Sequence, residues 1–378
     1  MPRKLYVGLM SGTSLDGVDA CVVDLSADHA RVLAGVHLPF ETQLRAALLA
    51  LNAPGNDEIH RAALLGVELA RRYARATQAA LADAGVSAEQ VTAIGCHGQT
   101  VRHRPELGYT VQIGSPALLT ELSGIQVVAD FRSRDIAAGG QGAPLAPAFH
   151  SFAFGSAEED RAVVNLGGMA NLTWLPRSRP VTGFDCGPGN CLMDLWAERH
   201  LGVPMDANGD WAAGGTVDRQ LLERFLAEPY LASPPPKSTG RELFNAEWLS
   251  AHGADTVDPR AVQATLLEFS ARCVSDALET HCAGACTVIV CGGGVRNLAL
   301  MQRLSELCEP VPVVSSQTCG LPAEWVEAVA FAWLAKMALE GAPASLPTVT
   351  GAHGSRVLGA IYPHRPPRKR KRGPPPPF

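Results

Sequence analysis

The chain has 378 residues, 47% of them hydrophobic and 18% charged, with a net charge of −5. That is more apolar material than one core usually takes, so two domains are expected, and the composition excludes a disordered chain. Six Lys and Arg crowd into Pro363–Phe378 without an acid, which leaves the body at about −11 and excludes nucleic-acid binding by bulk charge. No apolar run approaches the ~18 residues of a membrane span. The first run, Leu5–Met10, breaks at Ser11-Gly12, short of the roughly 7 to 15 residues of a signal-peptide core. The expectation is a cytoplasmic protein with no nucleic-acid or membrane partner. Its ten cysteines are expected to be reduced, buried small hydrophobes.

In chain order, Leu5–Val7 enters the stretch VGLMSGTSLDGVDA, and Ala20–Leu25 returns as a second apolar strand. Asp57–Gly85 has helical apolar spacing and Gly85 ends it. Thr92–Cys96, Tyr109–Ile113 and Ile125–Phe131 read as strands. Arg161–Pro176 followed by Val181–Gly189 repeats the opening pattern of strand, Gly-rich turn and strand, a weak internal duplication. Asn190 reads as the N-cap of a helix to Gly202. Asp258–Cys282 and Pro322–Gly341 are further amphipathic helices, with the strand Thr287–Cys291 between them. Strands alternating with helices predict α/β domains, and the hairpins predict mixed sheets. The end, RPPRKRKRGPPPPF, predicts a disordered tail.

Three glycine turns carry chemistry. In Gly12–Asp19 the backbone N–H groups can cradle an anion, and the Thr13 and Ser14 hydroxyls add donors. Asp16 and Asp19 would repel phosphate unless a Mg²⁺ sits between. An ordinary hairpin turn uses the same residue types for conformational reasons alone. In GFDCGPGN, Asp185 stands at a strand end beside Gly187 and Gly189, where phosphate on their amides would leave it placed to act as a general base. The lesser alternative is a turn acid capping the helix. In CGGGVRN, Gly292, Gly293 and Gly294 with Asn297 allow a flat molecule against the backbone, or simply make a tight turn. The sequence has neither a Walker A loop nor a G-x-G-x-x-G fingerprint. His97 and Gln99, Arg134 and Glu327 sit where they could line a cleft.

These three glycine sites, in this order on two like halves, resemble the sugar-kinase, actin and Hsp70 superfamily. The segments GLMSGTSLDGVD, CHGQT, QIGSPALLTELSGIQVVADFRSRDIAAGGQGAPL, NLGGMANLT, FDCGPGN and GGGVRN together resemble the 1,6-anhydro-N-acetylmuramic acid kinase family, from about Tyr6 to about Tyr362. The resemblance implies two lobes of duplicated RNase H-like mixed sheet flanked by helices, with an ATP cleft between them. Lobe one would span 1–144, with 349–364 returning to it; lobe two would span 145–348, and 365–378 would be tail.

It implies ATP on Gly12, Thr13, Ser14, Leu15, Asp16, Gly17, Val18 and Asp19, on Gly187 and Gly189, and on Gly292, Gly293, Gly294 and Asn297. Mg²⁺ would lie near Asp16 and Asp19, directly or through water. Asp185 would activate the water that opens the anhydro ring as O6 takes the γ-phosphoryl group. His97, Gln99, Arg134 and Glu327 would hold the amino sugar. A homodimer is implied as well. The rivals are a kinase for another amino sugar without ring opening, and a non-enzymatic sugar sensor or ATPase on the same fold.

Overall fold

The structure is a computed structural model that describes residues 3–12 and 14–364. Thr13 and the tail 365–378 lie outside the described residues. Among the described residues thirteen strands form two main sheets and a separate hairpin. The first sheet has the order β13-β7-β4-β1-β2-β3, from Leu5–Met10 (β1), Gly17–Asp24 (β2), Arg31–Pro39 (β3), Val91–Cys96 (β4), Val127–Ala129 (β7) and Ala360–Tyr362 (β13). Gln99–Arg104 (β5) and Tyr109–Ile113 (β6) pair only with each other. The second sheet has the order β10-β9-β8-β11-β12, from Arg161–Leu166 (β8), Met169–Leu175 (β9), Thr182–Pro188 (β10), Thr287–Cys291 (β11) and Val313–Ser315 (β12).

The two sheets repeat one topology. In each, a strand pairs antiparallel with the next, which pairs antiparallel with a third, while two later strands add parallel on the other side. This is the duplicated mixed sheet expected from the sequence. The physical reason is visible in β1 and β8, which sit mid-sheet and bury almost every residue, as strands covered on both faces must.

Helices cover the faces. Glu58–Ala84 (α1) packs on β2 and β3 and ends at Gly85 with φ 63°, the left-handed C-cap that Gly supplies without strain. Ala146–Phe154 (α2) lies on β8 and β9. Cys191–Leu201 (α3) follows β10, Pro259–His281 (α4) fills the outer face of the second sheet, and Leu298–Cys308 (α5) follows β11. Asn190 has helical φ and ψ and makes no side-chain cap; its Nδ2 instead donates to the Leu166 carbonyl at 3.4 Å.

Val326–Leu339 (α6) lies between the sheets. It packs on β1 and β4, where a Cβ at Gly8 or Gly95 would collide with the Ala328 or Phe331 carbonyl. Its Trp333 stacks on Phe152 of α2 at 5.7 Å. The chain therefore comes back to the first sheet at α6, ahead of residue 349, and ends on that sheet as β13. Among the described residues no helix is long and apolar enough to cross a membrane.

Candidate active site

The turn between β1 and β2 is pinned from several sides. Leu15 has φ 55° and its N–H bonds the Gly12 carbonyl at 3.3 Å. Leu15 and Val18 bury their side chains in the lobe-one core, so only their backbone can meet a ligand. Ser14 Oγ donates to Asp16 Oδ1 at 2.8 Å. Gln99, 1% exposed, donates from Nε2 to the Gly12 carbonyl at 3.1 Å, and its buried Oε1 has no partner. A Cβ on Gly17 would meet the His37 ring and the Leu38 carbonyl. His37 Nδ1 lies 2.7 Å from Asp19 Oδ1, a contact that raises the histidine pKa. Burial raises the Asp19 pKa, and the Asp16 charge adds to it.

Asp185, only 8% exposed, stands in the middle of β10 rather than at the strand end expected from the sequence, and is gripped by a loop. Its N–H bonds the Lys237 carbonyl at 3.2 Å, its carbonyl accepts from Tyr230 Oη at 2.8 Å, and its Oδ2 accepts from the Thr239 N–H at 2.9 Å. Asn171 Nδ2 donates to Oδ1. Burial pushes the Asp185 carboxyl up to about 6, while the Thr239 and Asn171 donors hold it back. Lys237 is turned away: its Nζ donates to the Tyr230 and Leu231 carbonyls at 3.3 and 2.8 Å and lies over the Tyr230 ring.

The turns from both halves converge. Glu327 opens α6; burial, then the Asp19 charge, pushes its carboxyl up to about 6, against Arg132. Asp194 on α3 is pushed up to about 7 by burial, with Arg241 opposing and Asp16 adding. Arg296, from the third glycine turn, lies close enough to lower Asp19. The first turn, the start of α3, the third turn and the start of α6 thus lie within reach of one another's charges.

The glycines divide by what a side chain would meet. A Cβ on Gly189 or Gly292 would strike the Gly167 carbonyl or Asn165 Oδ1, and one on Gly294 would lie 2.5 Å from Leu166 Cβ. A Cβ on Gly187, at φ 156°, would lie 3.0 Å from Cys273 Sγ. Those four are fixed by the chain's own packing. Gly12 has only the Ser14 side chain and N–H nearby, and Gly293 has nothing within 4 Å, so their backbones are open to a ligand. Asn297 accepts from the Leu300 N–H at 3.0 Å and caps α5.

His97 is buried and neutral, pushed down to about 3 by burial and then by Arg132. Arg134 is exposed, and it is Arg132 that reaches His97 and the field of Glu327. A cavity of about 290 Å³ opens beside His97, lined by Gln112, Asp130, Ser133 and Tyr362 among others. Sequence reasoning missed Arg132, His37, Asn171 and the Tyr230–Thr239 loop. Among the described residues no three His, Cys, Asp or Glu side chains gather as a metal cage.

Two like mixed sheets with their glycine turns gathered within charge range define the class: a two-lobed fold of the sugar-kinase and actin-like ATPase type. The sequence profile of the anhydro-N-acetylmuramic acid kinase family matches residues 4–364. Relatives of that name are 58% identical in Bordetella petrii over 368 residues, covering 96% of this chain and 97% of theirs, and 53% identical in Chromobacterium violaceum over 370 residues, covering 95% and 99%. A third, from Nitrosospira multiformis, is 50% identical over 365 residues, covering 96% and 100%. The chain belongs to the anhydro-N-acetylmuramic acid kinase family. Among solved structures, component A of the (R)-2-hydroxyglutaryl-CoA dehydratase of Acidaminococcus fermentans aligns at TM-score 0.47 and 14% identity over 87% of this chain and 96% of that one, a likeness too distant to speak to function.

Proposed function

We propose that this chain opens the 1,6-anhydro ring of 1,6-anhydro-N-acetylmuramic acid with water and phosphorylates O6 from ATP, giving N-acetylmuramic acid 6-phosphate and ADP. The observation that carries the reading is Asp185: a buried carboxylate fixed through both oxygens, with its proton affinity raised to about 6. Such a group is ionised at neutral pH and still basic enough to take a proton from water. Water attacks the anomeric carbon and gives its proton to Asp185. The C1–O6 bond breaks, O6 bonds to the γ-phosphorus, and ADP departs with the bridging oxygen. An inverting glycosidase pairs its base with an acid on the leaving oxygen; capture of O6 by phosphorus replaces that acid.

The remaining residues position and neutralise. Gly12, Ser14 and the N–H groups up to Asp19, with the open backbone of Gly293, would receive ATP. Gly187, Gly189, Gly292, Gly294 and Asn297 shape the turns that do so. Thr13 belongs to this reading as well. Asp16 and Asp19 suit Mg²⁺, which commonly takes one or two carboxylates beside phosphate and water; when bound it would neutralise phosphate charge. His97, through Arg132, and Gln99, Glu327 and Arg134 are assigned to the sugar side. The reading includes a cytoplasmic enzyme, supported by ten unpaired cysteines, and a homodimer, which sedimentation would check.

The test is mass spectrometry of the product formed from ATP and the anhydro sugar in ¹⁸O-water. Label at the anomeric carbon of a phosphorylated open sugar, with a loss on the order of 10³-fold in Asp185→Asn, is expected. Turnover of the open sugar without label would show a kinase lacking ring opening.

A further inference from the structure

Three polar side chains stand in one row across the second sheet. Asn165 on β8 is the register partner of Asn171 on β9, and Asn171 is the register partner of Asp185 on β10. Cross-strand partners share a face, and here each touches the next. Asn165 Nδ2 donates to Asn171 Oδ1 at 3.4 Å, and Asn171 Nδ2 donates to Asp185 Oδ1. The direction follows from chemistry: an ionised carboxylate only accepts, so Asn171 must offer it the amide NH₂ and turn its oxygen toward Asn165. At the far end of the row Asn165 lies close enough to Glu327 to lower its pKa slightly. Asn is disfavoured in strands, yet two occupy facing positions on a face that otherwise buries Val163, Leu175 and Ile289.

We propose that Asn171 is a positioning residue for the reaction: it fixes the Asp185 carboxylate and keeps it ionised, while Asn165 holds the Asn171 amide in the donating orientation. This rests on the reading of Asp185 as the base. The other groups around Asp185 cannot take over. Lys237 spends its ammonium on two carbonyls, Glu242 carries like charge, and the Tyr230 hydroxyl and Cys186 thiol are pushed up by burial. Among the described residues only Asn171 and the Thr239 N–H bond the carboxylate oxygens. Losing one of two donors leaves a buried anion short of a partner.

The experiment is the pH profile of kcat/KM for the full chain, with Asn171→Leu, Asn171→Ser, Asn165→Ala and Asp185→Asn beside the wild type. For Asn171→Leu the acid limb is expected to move up by about one pH unit, kcat at pH 7 to fall about tenfold, and both KM values to stay within about twofold. Asn165→Ala should move the limb the same way by less. Thermal melts report folding; should the Leu variant melt early, Asn171→Ser reads the same limb. Unmoved limbs in both Asn171 variants, with Asp185→Asn inactive, overturn the inference and leave the base standing. Retained turnover in Asp185→Asn overturns both.

Discussion

Arg132 donates to the Nε2 of His97 from two nitrogens at once, Nε at 3.0 Å and Nη2 at 2.9 Å. This arrangement requires the tautomer in which His97 Nδ1–H donates to the Gly98 carbonyl, 2.8 Å away. His97 therefore has no free nitrogen for a sugar; it aims Arg132, whose own pKa is lowered to about 10 by burial. In His97→Leu the guanidinium loses that fixed acceptor. The sugar KM should rise about tenfold, the equivalent of ~1.4 kcal/mol, with the ATP KM unchanged. An unchanged sugar KM would mean that Arg132 is held by other means.

His150 on α2 is also buried, bonded to Thr173 Oγ1 at 2.9 Å, and pushed down to about 3. Its unfolded pKa is about 6.5. The unfolded chain then binds the extra proton between those values, so this histidine costs stability as pH falls below 6.5 and costs nothing more below 3. Asp185, Glu327 and Asp194 are raised and act oppositely over part of that window, which masks the effect in the wild type. The difference between proteins isolates it. His150→Gln should be less stable at pH 7.5, and its deficit should shrink by about 1.4 kcal/mol per pH unit below 6.5. Denaturant melts at pH 7.5 and 5.5 decide; a constant deficit excludes a neutral buried histidine.

Neighbouring glycines of the third turn should separate binding from folding. Gly293→Ala adds a methyl into open space. It should keep the melting temperature and raise the ATP KM. Gly294→Ala drives its methyl against Leu166 and Asn190, and should destabilise the fold by about 1–3 kcal/mol. Calorimetry with ATP kinetics on both variants checks the pair, and equal melting losses would refute the division.

Much of this was legible in the sequence for a local reason: strand, glycine turn and strand recur at Leu5–Leu25 and Arg161–Gly189, and each turn needs only its own residues. Asp185 could be picked out as a buried strand's acid the same way, but not its place: β10 continues past it to Pro188. What escaped depends on residues far apart. Arg132 and Arg134 are two apart in a short irregular segment with no period to separate them, and only His97, 35 residues earlier, selects the first. The Thr239 donor is a backbone N–H, for which no residue type is a signal. The strand Gln99–Arg104 is polar because it pairs with one hairpin partner outside the main sheets, so its alternation never looked apolar.

The turn that joins β8 to β9 is only Gly167-Gly168 long, and Asn165 and Asn171 lie three residues either side of Gly168. Side chains alternate faces along a strand, so register is a parity. One residue inserted or deleted on either arm would swap Asn171 for Ala170 or Leu172 opposite Asn165, and break the amide row that ends on the Asp185 carboxylate. Point changes in this hairpin can be graded; changes of length cannot. Natural and engineered variation here should run through substitution alone, with insertions tolerated elsewhere on the surface and rejected at this two-residue bend.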